Sequence, residues 1–138
     1  MGFEVFEKRM APLGKAPSVT IQKRGLFSLN RAAHALMGAP KTVELLYDRS
    51  ERIVGLRPID EDAPHAYILR PQSSVKDTGP LLLAGTAFTT FYGIDTTVSR
   101  RWTPTMEDGI LCIDLKKHGV EIIGNRGARR TDGSQDDD

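Results

Sequence analysis

From residue 19 onward the chain alternates between two hydrophobic periods, and the switches between them predict its elements. Val19 and Ile21 alternate with Thr20 and Gln22, the two-residue period of a strand with one buried face. Gly25 breaks that strand. Leu29, Ala32, Ala33 and Leu36 then follow the i, i+3, i+4, i+7 spacing of an apolar helical stripe. Ser28 is placed to cap this helix, and Gly38, with Pro40 beyond it, to stop it. From Val43 the period returns to two: Val43, Leu45 and Tyr47 share a face, residues 48–52 make a polar turn, and residues 53–56 return.

The second half repeats this order of elements with few identical residues. Residues 81–84 (Leu-Leu-Leu-Ala) read as a buried strand, and Gly85 stands where Gly25 stood. Thr86 is placed to cap a helix with Ala87, Phe88, Phe91 and Tyr92 facing inward, and Gly93 stops it as Gly38 stopped the first. A hairpin follows, with residues 98–103 going out and 110–115 returning. Its turn is Glu107-Asp108-Gly109, where glycine accepts positive φ without steric cost. Strand, glycine, short helix, glycine and hairpin therefore occur twice.

The flanking segments follow other rules. Residues 1–18 form an N-terminal arm in which Phe3, Val5 and Phe6 precede a stretch broken by Pro12, Gly14 and Pro17. Residues 59–80 read as a linker punctuated by Pro64, Pro71 and Pro80, with a short strand candidate at residues 66–69 and a surface imidazole at His65. After a turn at residues 116–119, residues 120–123 are expected to add an edge strand. The tail, residues 124–138, has no large apolar residue and is expected to be disordered.

Composition narrows the class. The chain has 138 residues, 39% hydrophobic and 27% charged, enough for one domain with its own core. No apolar run approaches the ~20 residues that span a bilayer, and residues 1–10 lack the apolar centre of a secretory signal. Cys112 is the only cysteine, so no intrachain disulfide or thiolate cluster can form, and its place in a strand-like run reads as a small buried hydrophobe. These features fit a cytoplasmic protein. The three histidines are scattered, and no phosphate loop, nucleophile elbow or paired-histidine motif occurs. No catalytic residue, metal ligand or cofactor is therefore nominated, and the chain is read as a non-enzyme.

The formal charge of +1 is unevenly spread. Residues 19–58 carry seven basic against three acidic residues, whereas residues 81–115 carry two against four. Such asymmetry suits a chain of which one half meets a polyanion.

The stretches KRGLFSLNRAAHALMG, VELLYD and RIVGLRP also carry a resemblance to the swapped-hairpin family of AbrB, SpoVT and MazE-type proteins. Gly25, Leu29, Ala33 and Gly38 fall into that family's pattern of strand, glycine step, short helix, glycine and hairpin. Leu26 stands where the family has Arg, and Asn30 where it has Pro. The resemblance implies a mostly β fold with short helices (α+β), in which two strand-helix-hairpin units, residues 19–58 and 81–123, interleave as a swapped-hairpin barrel. Both units lie in one chain, so the assembly is either a monomeric pseudo-dimer or a homodimer. The resemblance further implies a regulator that binds double-stranded DNA through Lys23, Arg24, Asn30 and Arg31. Arg100 and Arg101 are a second basic candidate, although Trp102 beside them also reads as the anchor of a core edge. The alternative is a non-catalytic protein-interaction module, an antitoxin-like or phage-encoded inhibitor that binds a protein partner.

Overall fold

The computed structural model describes residues 16–73 and 79–122. The N-terminal arm up to residue 15, the middle of the linker and the C-terminal tail lie outside the described residues, as do the expectations that fell on them.

The fold is mostly β, with eleven strands among the described residues in two antiparallel sheets and two six-residue helices. In chain order the strands are β1 (Val19–Ile21), β2 (Leu26–Leu29), β3 (Thr42–Asp48), β4 (Ile53–Pro58), β5 (Tyr67–Ile68), β6 (Arg70–Pro71), β7 (Leu81–Ala84), β8 (Arg100–Trp102), β9 (Thr105–Glu107), β10 (Ile110–Asp114) and β11 (Val120–Glu121). Helix α1 (Arg31–Leu36) lies between β2 and β3, and α2 (Thr86–Phe91) between β7 and β8. The first sheet, A, has the order β11-β8-β1-β2-β7-β6, and the second, B, the order β5-β3-β4-β10-β9.

Each sheet buries alternate residues against the other, as a two-residue period requires. Val19, Ile21, Phe27, Leu29, Leu81 and Leu83 come from sheet A, and Val43, Val54, Leu56, Leu111 and Ile113 from sheet B. Helix α2 closes one side of this core. Phe88 meets Phe27 of sheet A at a ring-centroid distance of 6.2 Å and Tyr47 of sheet B at 6.1 Å, both edge to face.

The two halves of the chain interleave in both sheets. Sheet A contains β1-β2-β7-β6 and sheet B contains β3-β4-β10-β9, so each hairpin of one half lies beside its counterpart from the other. The helices match too. In α1 the Gly38 N–H donates to Ala35 O and the Ala39 N–H to His34 O. In α2 the Gly93 N–H donates to Thr90 O and the Ile94 N–H to Thr89 O. Both are the paired closure of a helix that ends on a left-handed glycine, with φ +89° at Gly38 and +64° at Gly93.

Several expectations are corrected. Ser28 does not cap α1, because Phe27 and Leu29 alternate with it as strand β2 and the cap moves to Asn30. Leu29 therefore leaves the helical stripe for the sheet, and Leu36 is 44% exposed. Gly85, not Thr86, occupies the cap of α2. Phe91 points outward and is 70% exposed. Residues 98–103 do not form the outgoing arm of the last hairpin: β8 pairs with β1 in sheet A, and the arm is β9, beyond Pro104. The linker is not a mere connector, since β5 pairs with β3 of sheet B and β6 with β7 of sheet A. The described strands make two separate ladders, β5 in sheet B and β6 and β8 in sheet A, and no closed barrel. Cys112 is half-buried on the outer side of sheet B, opposite Gly55.

No helix among the described residues is long and apolar enough to cross a membrane.

Candidate nucleic-acid interface

The candidate interface begins at the turn between β1 and β2. Lys23–Gly25 forms one 3-10 turn, in which Arg24 and Gly25 take positive φ of 71° and 91°. Gly25 is required there. A Cβ on it would lie 2.5 Å from Thr89 Oγ1 and 2.9 Å from Thr86 Cα. Gly85 returns the contact, since its own Cβ would lie 2.6 Å from the Phe27 ring and 2.8 Å from Gly25 O. The two glycines that match in the sequence pattern are thus packing partners, which lets the β1–β2 turn sit on the start of α2.

Two cross-links from the second half hold this turn. The Lys23 N–H donates to Ser99 Oγ at 3.0 Å, and the Thr86 hydroxyl donates to Arg24 O at 2.6 Å. With the backbone tied, the exposed Lys23 and Arg24 side chains project from a fixed base. The first helical residue of α1 reaches the end of the linker: Arg31 Nε donates to Gly79 O at 2.8 Å.

Register carries the site across sheet A. Directly paired residues share a face, and the pairs Val120–Arg101, Arg101–Thr20, Thr20–Ser28, Ser28–Leu82 and Leu82–Arg70 run in one row. This row lies on the side away from the core. Five strand spacings of about 4.8 Å make it about 24 Å long. Its polar members are two arginines, a threonine and a serine, and it holds no carboxylate. Among the described residues Lys23, Arg24, Arg70 and Arg101 make no ion pair.

The outer side of sheet B has the opposite character. Glu44, Asp48, Glu107 and Asp114 lie there, and Arg57 beside them is bonded to Glu44. Glu44 is itself buried, accepting from Arg57 Nε at 2.5 Å and from His65 Nε2 at 2.9 Å. The Arg57 hydrogen bond, with His65 adding to it, holds the Glu44 carboxyl below its ordinary range. Hydrogen bonds from the Glu51 backbone and Ser50 do the same for Asp48, and those from Lys116 for Asp114. The outer side of sheet A is thus basic and hydroxyl-bearing, whereas that of sheet B carries carboxylates, of which Glu44 is paired with Arg57 and Asp114 with Lys116.

The six nominated residues separate in this frame. Lys23, Arg24 and Arg101 are exposed and make no ion pair among the described residues. Asn30 is a structural cap: its Oδ1 accepts from the Ser18 and Ala33 N–H groups, and its Nδ2 donates to Ala16 O. Arg31 is half-buried and commits its Nε to Gly79. Arg100 pairs with Ile21, faces inward at the sheet edge and lies 3.6 Å from the Glu121 carboxylate. Arg70 was missed because it sits in a two-residue strand next to a proline, where no period can be read.

The chain matches no protein-family model, no curated protein and no solved structure.

Proposed function

We propose that the protein binds double-stranded DNA as a non-catalytic regulator, through the β1–β2 turn and the outer face of sheet A. The observation that carries this reading is the exposed basic set Lys23, Arg24, Arg70 and Arg101, without an ion pair among the described residues, around a carboxylate-free row, with Glu44, Asp48, Glu107 and Asp114 on the outer side of the opposite sheet. Such a field orients the molecule toward a polyanion before contact. Lys23 and Arg24 neutralise phosphates, and Thr20 and Ser28 donate to phosphate oxygens.

The strand order gives independent support to the swapped-hairpin reading. In that reading the chain is an intrachain pseudo-dimer: β1-β2-α1-β3-β4 and β6-β7-α2-β9-β10 are the two copies, and β5, β8 and β11 are additions. The family resemblance and the basic turn then point to the same surface.

The test is charge reversal. Lys23→Glu with Arg24→Glu is expected to lower affinity for a random-sequence duplex at least a hundredfold at low salt, because two phosphate contacts become repulsions. Unchanged affinity in a folded double variant refutes this interface.

A second reading, a protein-interaction module, is favoured by one feature. Phe91 is 70% exposed beside Tyr92, and the Arg49 guanidinium lies 4.8 Å from the Tyr92 ring centroid. Aromatic and arginine side chains are the usual anchors of protein interfaces. Phe91→Ala is expected to leave DNA affinity unchanged, and weakening of a captured protein partner by that substitution would shift the assignment to this module.

A further inference from the structure

A cleft of about 220 Å³ opens beside β8. Its charged lining comes from separate elements: Arg52 from the β3–β4 turn, Arg100 from β8, and Lys116 and Lys117 from the turn after β10. Trp102 and Gly119 form its wall. We infer that this cleft is a phosphate-binding site, distinct from the free basic face of sheet A.

The cations differ in what they already hold. Lys116 is spent, bound to Glu51 O and lying 3.3 Å from the Glu51 carboxylate and 3.1 Å from that of Asp114. Arg100 shares one contact with Glu121 at 3.6 Å and keeps further N–H groups. Arg52 and Lys117 make no ion pair among the described residues. The one carboxylate in the lining, Asp95, accepts from the Thr97 backbone and hydroxyl at 2.9 and 2.7 Å. Arg52 and Lys117 thus line the cleft without an ion pair among the described residues, Arg100 is shared between Glu121 and the field of Asp95, and Asp95 is the one carboxylate in the lining.

Geometry selects the ligand class. Cations supplied by three separate elements suit the divergent oxygens of a tetrahedral phosphate better than a planar carboxylate, which one arginine fork satisfies. The volume holds a phosphate or pyrophosphate group and falls short of the 300–1,000 Å³ or so typical of drug-sized ligands. The wall is fixed: Trp102 Nε1 donates to Lys117 O at 3.0 Å, and a Cβ on Gly119 would lie 2.6 Å from the indole. Arg52 holds a positive φ of 55°, a conformation that glycine adopts more cheaply.

The phosphate can belong to a free phosphate ester or to a nucleic-acid backbone, and one experiment separates the sources. Trp102 is the only tryptophan, so its fluorescence reports on the cleft. The full chain is titrated with inorganic pyrophosphate, with potassium chloride at matched ionic strength as the control. A saturable change with pyrophosphate alone is expected. Arg52→Gly, which suits the turn, and Lys117→Ala are each expected to weaken it about tenfold or more, the loss of one charge-assisted contact. Pyrophosphate that competes with duplex DNA assigns the site to backbone phosphate, and simultaneous binding assigns it to a free ester. A response matched by chloride, or one indifferent to both substitutions, overturns the inference. If DNA binds with Lys23 and Arg24 required but pyrophosphate does not bind, the cleft is refuted and the proposed function stands.

Discussion

Asn30 and Gly25 are the residues at which local chemistry decides between a structural and a binding role. Asn30 satisfies backbone groups on both sides of the α1 start, so Asn30→Ala is expected to cost about 1 kcal/mol in urea unfolding. DNA affinity of the folded variant is expected to stay unchanged; a loss of affinity returns Asn30 to the interface. Gly25→Ala forces a Cβ into the backbone of α2 at a positive φ, and about 3 kcal/mol of destabilisation is expected. Gly38→Ala meets nothing within 4 Å and bears only the conformational strain, about 1 kcal/mol. Equal losses for the two glycine variants, measured side by side, would contradict the packing described for the β1–β2 turn.

Elements that announce themselves through a repeated local rule were legible in the sequence. Gly38 and Gly93 mark two helix ends because a left-handed residue is cheapest as glycine. Asp108 and Gly109, both at positive φ, turn the hairpin, as the Asp-Gly pair led one to expect, while Glu107, expected in the turn, ends strand β9. Val19 and Ile21 are buried on one face as their spacing requires. What misled was overlap between periods. Leu29 fits both the alternation of Phe27-Ser28-Leu29 and a helical stripe with Ala33, and pairing with β1 and β7 decided for the strand. Strands β6 and β8 are held by partners distant in sequence, and two or three residues offer no period of their own. The tie between Glu44, Arg57 and His65 was equally invisible, since it joins a hairpin to the linker. Its consequence is a pH dependence of known sign. Arg57 lowers the Glu44 pKa on folding, so Glu44 stabilises the fold above about pH 4.5, the unfolded value, and this is lost as pH falls through the lowered value. Asp48, Asp95 and Asp114 are lowered too and act in the same direction. Glu44→Gln is expected to flatten the acid limb of stability measured by urea unfolding between pH 3 and pH 6 or so; an unchanged limb contradicts the tie.

At the scale of the whole molecule, two interleaved halves place a carboxylate-free basic row on the outer side of one sheet and four carboxylates on the outer side of the other. The uneven charge along the chain was readable in advance, but its distribution over faces was not. The first half supplies Lys23 and Arg24 to the basic face and also Glu44 and Asp48 to the acidic one, because β1–β2 and β3–β4 enter different sheets. Strand register then adds Arg101 and Arg70, which belong to the second half and the linker. The measurement that bears on this most directly is affinity for a random-sequence DNA duplex across a salt series. Four phosphate contacts, through Lys23, Arg24, Arg70 and Arg101, give an expected slope of log affinity on log salt near −3.6, about 0.9 per contact. The Lys23→Glu, Arg24→Glu variant is expected to flatten that slope by about half. Absence of binding at low salt, or affinity independent of salt, contradicts the proposed interface.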